Sequence, residues 1–450
     1  MRLPHVAVAI IMKAISASAM LTVCLITGVV WAVYSDVSKV PFQYDDIHSV
    51  VDNIHIRSLD NVPKYFVDPT LFSEDPRNAM YRPMVVTSYA LTHWIADYDA
   101  EMYHYGNVVI HIANAIFVAV LVQIFTRRST LSAITALIFA VHPVNSESVI
   151  YVSGRSESLC ALFILVSIWS YFKSEDRSRS GINSESLWLY LLSVGAYTAA
   201  LGTKEIAVTF PVVLLFLSMH LRNSGFFSFR KKSLSRHLPF WFLAVVYVVV
   251  NRNLIESAVI FSVRSLDVQL LTQIKAIVYY VILLTFPAHL SVEHQFSLSN
   301  SALDITVFLS FVACSSAVFI LWQIRRFARG VFWWWGGCMI TLVPTLVVPL
   351  NVLVNEHRLY IPSIAISIAS AAAFSQMMRR RNVVGCVMLF CFMVVSAAFC
   401  IQRTRVWSSS EELWRDAVAK GPYMPRPHIY VGDALMSAGN QEQALVAYDM

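Results

Sequence analysis

The chain has 450 residues, of which 57% are hydrophobic and 14% are charged, and its mean hydropathy is +0.59. Because soluble proteins are about a quarter charged, this composition excludes an ordinary soluble domain and indicates a polytopic membrane protein. The net charge of +6 resides in short basic clusters between apolar runs, which report orientation in a membrane and do not favour nucleic-acid binding.

The first apolar run, residues 14–33, is longer than a typical signal-peptide core, and no clear small-residue cleavage site follows it. We therefore expect a retained anchor, with Arg2 and Lys13 on the inner side of the membrane. All seven cysteines lie within apolar runs, where an exported disulfide framework would not be built.

Further apolar segments follow between Tyr105 and Ile401, and several are shorter than the ~20 residues that a perpendicular span needs. The basic clusters between them belong inside by the Lys/Arg rule, and an odd number of segments separates two of these clusters. One segment therefore does not cross, and we assign this role to residues 270–286, as a re-entrant or surface-lying helix on the outer side. About eleven crossings remain, with the N-terminus inside and the C-terminus outside.

Two adjacent carboxylates, Asp45 and Asp46, follow the first apolar segment closely in the sequence FQYDDIHSVVDN. A carboxylate held near hydrocarbon loses hydration, which raises its pKa towards the range that a general base needs near neutral pH. Capping of the next helix explains the pair equally well. The pair lies in the longest hydrophilic insert, residues 35–83, in which Arg82 precedes an amphipathic stretch, residues 84–95, that we expect to lie in the interface.

Later polar clusters fall on the same outer face in this topology. They comprise His142, Glu147 and Arg155, then Lys204 and Glu205, then Glu293 and His294, and finally Glu356, His357, Arg358 and Tyr360. Ionisable residues at membrane depth are costly and usually functional, so their collection on one side indicates a reaction chamber open to the outside.

Structural interpretations of the same clusters stay open. Arg358 is explained by snorkelling to the interface beside a local glutamate. A buried ion pair between Glu147 and Arg155 would stitch two helices together without touching a ligand. Lys204 would meet either a lipid phosphate or its neighbour Glu205.

The last part of the chain, residues 402–450, changes to amphipathic helices outside the membrane. Its small and bulky residues have the spacing of a tetratricopeptide repeat, at Val431, Gly432, Gly439, Ala444 and Tyr448. A single repeat cannot bury its own apolar face, so we expect either a truncated sequence or a partner protein that completes the stack.

Signatures of other chemistries are missing from the sequence. There is no GxxxxGK[ST] loop, HExxH, GxSxG or CxxC, so nucleotide hydrolysis, zinc proteolysis and serine hydrolysis have no support. Paired carboxylates also bind divalent cations, which leaves a metal open at Asp45 and Asp46. The sequence places no third ligand, so we predict neither a metal nor another cofactor.

Seven motifs in one order resemble the transmembrane and tetratricopeptide-repeat-containing O-mannosyltransferases and their prokaryotic relatives, over nearly the whole chain. They are FQYDDIHSVVDN at 42–53, YRP at 81–83, FAVHPVNSESVIYVSGRSE at 139–157, GTKE at 202–205, FPAHLSVEH at 286–294, NEHRLYIPS at 355–363 and WRDAV before the repeat. Where this family often has E-R-x-L-Y, the present chain has His357 between Glu356 and Arg358.

The resemblance implies an all-α polytopic bundle of the GT-C type in residues 1–401, followed by the start of a repeat. It implies an inverting glycosyltransferase that moves mannose or another hexose from a polyprenyl or dolichyl phosphate to a hydroxyl of a protein or glycan. Asp45 or Asp46 would be the general base, with Asp45 slightly favoured. Arg82, Lys204 and Arg358 would hold the donor phosphate, and the other outer-face residues would line the substrate site.

The expected location is the endoplasmic reticulum membrane in a eukaryote or the inner membrane in a prokaryote, with the C-terminus lumenal or periplasmic. The expected partners are the lipid-linked donor, the acceptor and membrane lipid. A transporter or lipid flippase is an alternative, but it would place charges near the midplane and show a repeat between halves, neither of which the sequence has. A membrane scaffold is another, which would explain the tail but not the outer-face cluster.

Overall fold

The computed structural model describes residues 17–178, 183–222, 231–260, 263–325 and 329–449, and within these ranges the chain is helical, with no strand. The expected inner residues Arg2 and Lys13 lie outside the described residues. The helices are α1 (Ala17–Val33), α2 (Val62–Tyr65), α3 (Pro83–Ala96), α4 (Ala100–Thr126), α5 (Ser129–Ala140), α6 (Ser146–Ile150), α7 (Arg155–Arg177), α8 (Ser184–Leu201), α9 (Phe210–Arg222), α10 (Lys231–Val250), α11 (Arg252–Ile260), α12 (Leu266–Thr285), α13 (Ile305–Ile324), α14 (Arg329–Ile340), α15 (Val343–Val347), α16 (Pro362–Arg380), α17 (Asn382–Val406), α18 (Ser410–Lys420), α19 (Pro425–Ser437) and α20 (Gln441–Asp449).

The described residues contain six helices that are long and apolar enough to cross a membrane. They are α4, α7, α12, α13, α17 and the run Ser18–Lys39, which contains α1. A seventh crossing arises if α5 and the segment Pro143–Ile150, which are bent by 52° at a short break, form one span. The predicted all-α polytopic class is confirmed, whereas the count of about eleven crossings stays a prediction.

The segment expected not to cross corresponds to α12. This 20-residue helix has the length and composition of a membrane span, which does not favour the surface-lying interpretation. Its side chains pack along the segment 343–358: Gln269 donates to the Leu346 carbonyl at 3.1 Å, and the Tyr280 hydroxyl lies 3.2 Å from an Arg358 nitrogen. Among the described helices, the bent pair with the geometry of a re-entrant loop or a broken span is instead α5 with the segment Pro143–Ile150.

Small polar residues bring the helices of the bundle close together. The hydroxyls of Ser167 on α7 and Ser193 on α8 each donate to the other residue's carbonyl at 2.8 Å. Inside a bundle, such reciprocal bonds satisfy groups that lipid cannot satisfy and allow the backbones a close approach. By contrast, only 6% of the most apolar window of α13 is buried in the protein, and its exposed face includes Phe308, Phe311 and Phe319, so this helix has the surface expected next to lipid.

The tail folds into three helices, α18 to α20, outside the apolar bundle. Gly432 on α19 lies against the ring of Tyr448 on α20, and a Cβ atom added at Gly432 would overlap that ring. This is the contact between a small and a bulky residue that the predicted repeat spacing requires. Assignment of the pair to a tetratricopeptide repeat stays a prediction.

Replacement of Gly432 by Ala is expected to loosen the tail without disturbing the membrane bundle. The added methyl must displace the Tyr448 ring, and overpacking of this kind costs about 1–3 kcal/mol. Amide hydrogen exchange should therefore rise in α19 and α20. Gly195→Ala on α8 is the matched control, because a Cβ there meets nothing within 4 Å. Unchanged protection in the Gly432 variant would contradict this packing.

Candidate active site

Asp46 is a buried carboxylate, 1% exposed. Its Oδ2 accepts the backbone N–H of Gln43 at 3.1 Å, and its Oδ1 accepts the N–H and hydroxyl of Ser153 at 2.8 and 2.6 Å. These bonds tie the loop after α1 to the turn before α7. Burial raises the pKa of Asp46 to about 7, although the hydrogen bonds from Ser153 and Gln43 oppose the rise.

Asp45, the preceding residue, has the opposite environment. Its side chain is 46% exposed, and one carboxylate oxygen lies 3.5 Å from Nε2 of His48. Its backbone N–H donates to the Tyr151 hydroxyl at 2.9 Å, which fixes the main chain while leaving the carboxylate facing outwards. The hydrogen bond to Asp45 raises the pKa of His48. Of the two candidate bases, Asp45 is therefore the one with an exposed carboxylate.

The buried carboxyl of Asp46 should leave a pH signature in stability. Since its folded-state pKa of about 7 exceeds the ordinary 3.8, the folded state holds the proton more tightly, and the free energy of unfolding should fall as pH rises from about 4 to about 7. The loss is at most about 4 kcal/mol. Thermal unfolding midpoints measured across this range should decline more steeply for the wild type than for Asp46→Asn. Equal slopes would show that Asp46 is ionised throughout.

A network of buried ionic groups lies where α7, the turn before α9 and the turn before α16 meet. Lys204 Nζ is 2.5 Å from Oε1 of Glu157. The imidazole of His357 bridges two acids, with Nδ1 2.9 Å from Glu147 and Nε2 3.8 Å from Glu157. Burial, reinforced by Lys204 and the nearby arginines, holds the pKa of His357 well below its usual range.

Arg82 and Glu205 form the more accessible part of this network. An Arg82 nitrogen lies 3.1 Å from a Glu205 oxygen, and the two side chains are 15% and 42% exposed. Both Arg82 and Glu205 are within electrostatic reach of Glu157. The carboxylate of Glu205 is thus accessible, whereas the Lys204–Glu157 pair is buried, with exposures of 7% and 2%.

Glu356 organises the segment after α12. Its Oε1 accepts the Ser291 backbone N–H and lies 3.0 Å from Nε2 of His294, whose other ring nitrogen is 2.9 Å from the Tyr279 hydroxyl. Neighbouring Glu293 is instead 3.4 Å from Arg426 of the tail. The structure therefore brings Glu147, Lys204, Glu356 and His357 together, because Glu147 is within electrostatic reach of both Glu356 and Lys204.

Three other predicted site residues, Arg155, Tyr360 and His142, have hydrogen-bond partners within the helical core. Arg155 donates to the Asn107 side chain at 2.8 Å and to the Tyr103 carbonyl at 2.7 Å. The hydroxyl of Tyr360 lies 2.6 Å from His111 and 3.0 Å from Asn114. His142 contacts the Leu284 carbonyl at 3.0 Å.

Arg358, expected at the donor phosphate, is also committed to the protein, since it donates to the Leu353 and Val352 carbonyls at 3.0 and 2.8 Å. The ion pair considered between Glu147 and Arg155 is replaced by the Glu147–His357 contact. Arg155 nevertheless joins α7 to α4, as the structural interpretation required. It does so through hydrogen bonds to the uncharged oxygens of Asn107 and Tyr103 and not through an ion pair.

Glu157 was missed among the candidate site residues. It lies in the first turn of α7, is 1% exposed, and contacts both Lys204 and His357. The available signal was an acid at the mouth of an apolar helix, two residues after Arg155. Its partner Lys204 is remote in sequence, so local patterns could not pair them.

The acidic motifs and the arginines Arg128 and Arg379, which the Lys/Arg rule predicts to lie inside, are at opposite ends of the helices. Helix α4 begins near Tyr103 and Asn107, which Arg155 contacts, and its 27 residues carry the chain about 40 Å to Arg127. Beyond that end, Arg128 and Arg379 line one cavity of about 540 Å³. This separation agrees with the prediction that the polar motifs and the basic clusters lie on opposite faces. Which side of the membrane each end faces stays a prediction.

The fold and these groups define a multi-pass helical membrane protein with a charged site at one end of its helices. No family model matches the chain. It is 25% identical over 468 residues to human protein O-mannosyl-transferase TMTC3, covering 94% of this chain and 50% of the relative. With human TMTC4 the identity is 23%, covering 90% of this chain and 63% of the relative. The resemblance to the O-mannosyltransferases is confirmed. The chain spans between half and two thirds of the length of these two relatives.

Among solved structures, the chain is similar to the archaeal oligosaccharyltransferase AglB from Archaeoglobus fulgidus in complex with an inhibitory peptide and a dolichol-phosphate. The TM-score is 0.48 at 10% identity, over 96% of this chain and 59% of that one. A TM-score of this size does not establish a shared fold. The assignment to the GT-C type therefore rests on the motifs.

Proposed function

We propose that the protein is a membrane glycosyltransferase that transfers a sugar from a polyprenyl or dolichyl phosphate to a hydroxyl of a protein or glycan. The observation that carries the proposal is the pair of aspartates: buried Asp46 fixes the loop, and Asp45 presents an accessible carboxylate at the helix end that also holds Arg82 and Lys204. The names of the TMTC relatives favour mannose as the sugar and a protein as the acceptor.

In the proposed reaction, Asp45 accepts the proton of the acceptor hydroxyl as its oxygen attacks the anomeric carbon. The bond between that carbon and the phosphate oxygen breaks, and the lipid phosphate leaves as an anion with inversion at the sugar. A fixed cation must stabilise the charge that develops on the leaving group. Arg82 suits this role because its accessible partner Glu205 can yield to a phosphate oxygen.

Lys204 and His357 support that site from the buried side. Lys204 pairs with Glu157 and lies within electrostatic reach of Glu205, the partner of Arg82. His357 contacts Glu147 and lies 3.8 Å from Glu157. Arg358 belongs to the same proposed site. To bind the donor phosphate, it must first break its hydrogen bonds to the Leu353 and Val352 carbonyls. No step of the proposal requires a metal ion, and the described residues contain no group of three His, Cys, Asp or Glu side chains placed to hold one.

The location and partners follow from this function. We propose that the end with Asp45 faces the lumen of the endoplasmic reticulum or the periplasm, where the donor lipid presents its sugar. A protein partner for the tail is also part of the proposal, because the α19–α20 pair leaves Val431, Leu435 and Val446 along an apolar groove of about 370 Å³.

The test is an incubation of the purified, reconstituted protein with radiolabelled mannosyl phosphates of dolichol and of a bacterial polyprenol, and with hydroxyl-bearing acceptor peptides. The proposal predicts labelled peptide and free lipid phosphate in equal amounts. A glucosyl donor tests the choice of sugar. Movement of intact donor lipid across the vesicle membrane without sugar transfer would overturn the proposal in favour of a flippase.

A further inference from the structure

Tyr44, the residue before Asp45, has an unusual backbone conformation. Its φ is +51°, and it is one of three non-glycine residues with positive φ among those described. This left-handed conformation is unfavourable for a residue with a Cβ, so surrounding contacts must hold it. Because φ of Tyr44 sets the direction of the chain that follows, it helps to decide where the Asp45 carboxylate points.

The contacts that hold Tyr44 come from the tail. Its ring packs edge-on against Trp414 and Tyr430, at centroid distances of 5.6 and 5.4 Å, and those two rings stack on each other at 4.2 Å. A guanidinium nitrogen of Arg426 donates to the Tyr44 hydroxyl, and another lies 3.4 Å from Glu293. The tail therefore holds Tyr44 by both its ring and its hydroxyl.

A second connection reaches Asp45 through its backbone. The Tyr151 hydroxyl that accepts the Asp45 N–H belongs to a ring packed against Trp407, with centroids 5.1 Å apart. Trp407 is fully buried where α17 passes into the tail, and its carbonyl accepts the Gln43 side-chain amide at 3.4 Å. Gln43 and Tyr44, the two residues before Asp45, are thus both held by aromatic residues of the tail. Trp407 contacts Gln43, and Trp414 and Tyr430 contact Tyr44.

We propose that the tail is part of the catalytic machinery: Arg426, together with Trp407, Trp414 and Tyr430, holds the Tyr44 turn so that Asp45 faces the acceptor. This inference rests on the proposed function. These are positioning residues, because their contacts are with Tyr44 and Tyr151, through which they act on Asp45. A displacement of about 1 Å at a reacting group can lower a rate by about 10²-fold, so a change in the tail reaches the chemistry without contacting it.

The test uses Arg426→Met in the full chain, with Arg426→Lys as the conservative variant. We expect kcat for sugar transfer to fall at least about tenfold with the donor KM within twofold of wild type, and Lys to restore part of the loss. Adding Arg426→Met to a Tyr44→Gly variant should lower kcat little further, because both substitutions remove the same contact between Arg426 and Tyr44. Arg415→Met is the control, since Arg415 pairs with Glu411 on the tail surface.

Hydrogen exchange provides a readout that does not need activity. In Arg426→Met, amides of residues 43–48 should exchange about tenfold faster while those of α19 keep their protection, which shows that the tail itself has not unfolded. Unchanged exchange in residues 43–48 together with unchanged kcat would overturn the proposal. If the wild type transfers no sugar, the proposed function fails, and the exchange of residues 43–48 still decides whether the tail holds this loop.

Discussion

Replacing Asp45 by Asn should lower sugar transfer by about 10³-fold while leaving the protein folded. A positioned general base contributes about 10² to 10⁴ in rate, and an amide of the same shape cannot take the hydroxyl proton. The side chain is 46% exposed and its carboxylate makes only a 3.5 Å contact with His48, so little stability depends on it. The measurement is initial transfer rate at saturating donor, beside the thermal unfolding midpoint.

Asp52→Asn is the matched control for this experiment, because Asp52 is an exposed acid in the same loop. It should transfer sugar at the wild-type rate. Asp46→Asn is expected to affect stability and its pH dependence, with a partial loss of rate through the disturbed loop. If Asp45→Asn kept its activity while Asp46→Asn lost all of it, the base would be Asp46, and the assignment of that role to Asp45 would be wrong.

Replacing Lys204 by Met should destabilise the membrane domain by about 3–5 kcal/mol, because it leaves the buried Glu157 carboxylate without its partner. Adding Glu157→Gln should recover much of this loss, since the uncompensated charge then disappears. The measurement is the unfolding midpoint of the single and double variants in one detergent. A single variant as stable as the wild type would show that this ion pair contributes little.

Lys39→Met supplies the contrast for that prediction. Lys39 forms a similarly short pair with Asp36, at 2.6 Å, but its side chain is 73% exposed, and surface pairs contribute little to stability. The double variant at Lys204 and Glu157 also separates stability from function. If it folds well but transfers poorly, the Lys204–Glu157 pair contributes to transfer as well as to the fold.

The sequence predicted the class of fold because hydropathy and the basic clusters are local signals. It also located the aspartate pair, but it could not separate the two acids. The Asp46 carboxylate points inwards and accepts the Ser153 backbone N–H, whereas the Asp45 carboxylate points outwards. This difference depends on Ser153, which is more than a hundred residues away in the sequence. The left-handed conformation of Tyr44 leaves no mark in composition either.

The same reasoning applies to other polar residues. Polar groups at membrane depth suggest function, yet Arg155 and Tyr360 are satisfied by hydrogen-bond partners in the helical core. Glu157 was overlooked for the opposite reason, because it looked like a first-turn acid while forming a sealed ion pair within the site. Only the folded arrangement tells a satisfied core polar group from one that faces substrate.

We propose that Asp45, the segment around His357 and the tail face one aqueous compartment, opposite Arg128 and Arg380. Single cysteines at Ile54, Phe286 and Tyr423, whose side chains are exposed, test it in a background without the seven native cysteines. In sealed, oriented vesicles, a membrane-impermeant maleimide should label all three from the same side and cysteines at Arg128 and Arg380 from the other. Labelling of Ile54 and Phe286 from opposite sides would contradict this shared compartment.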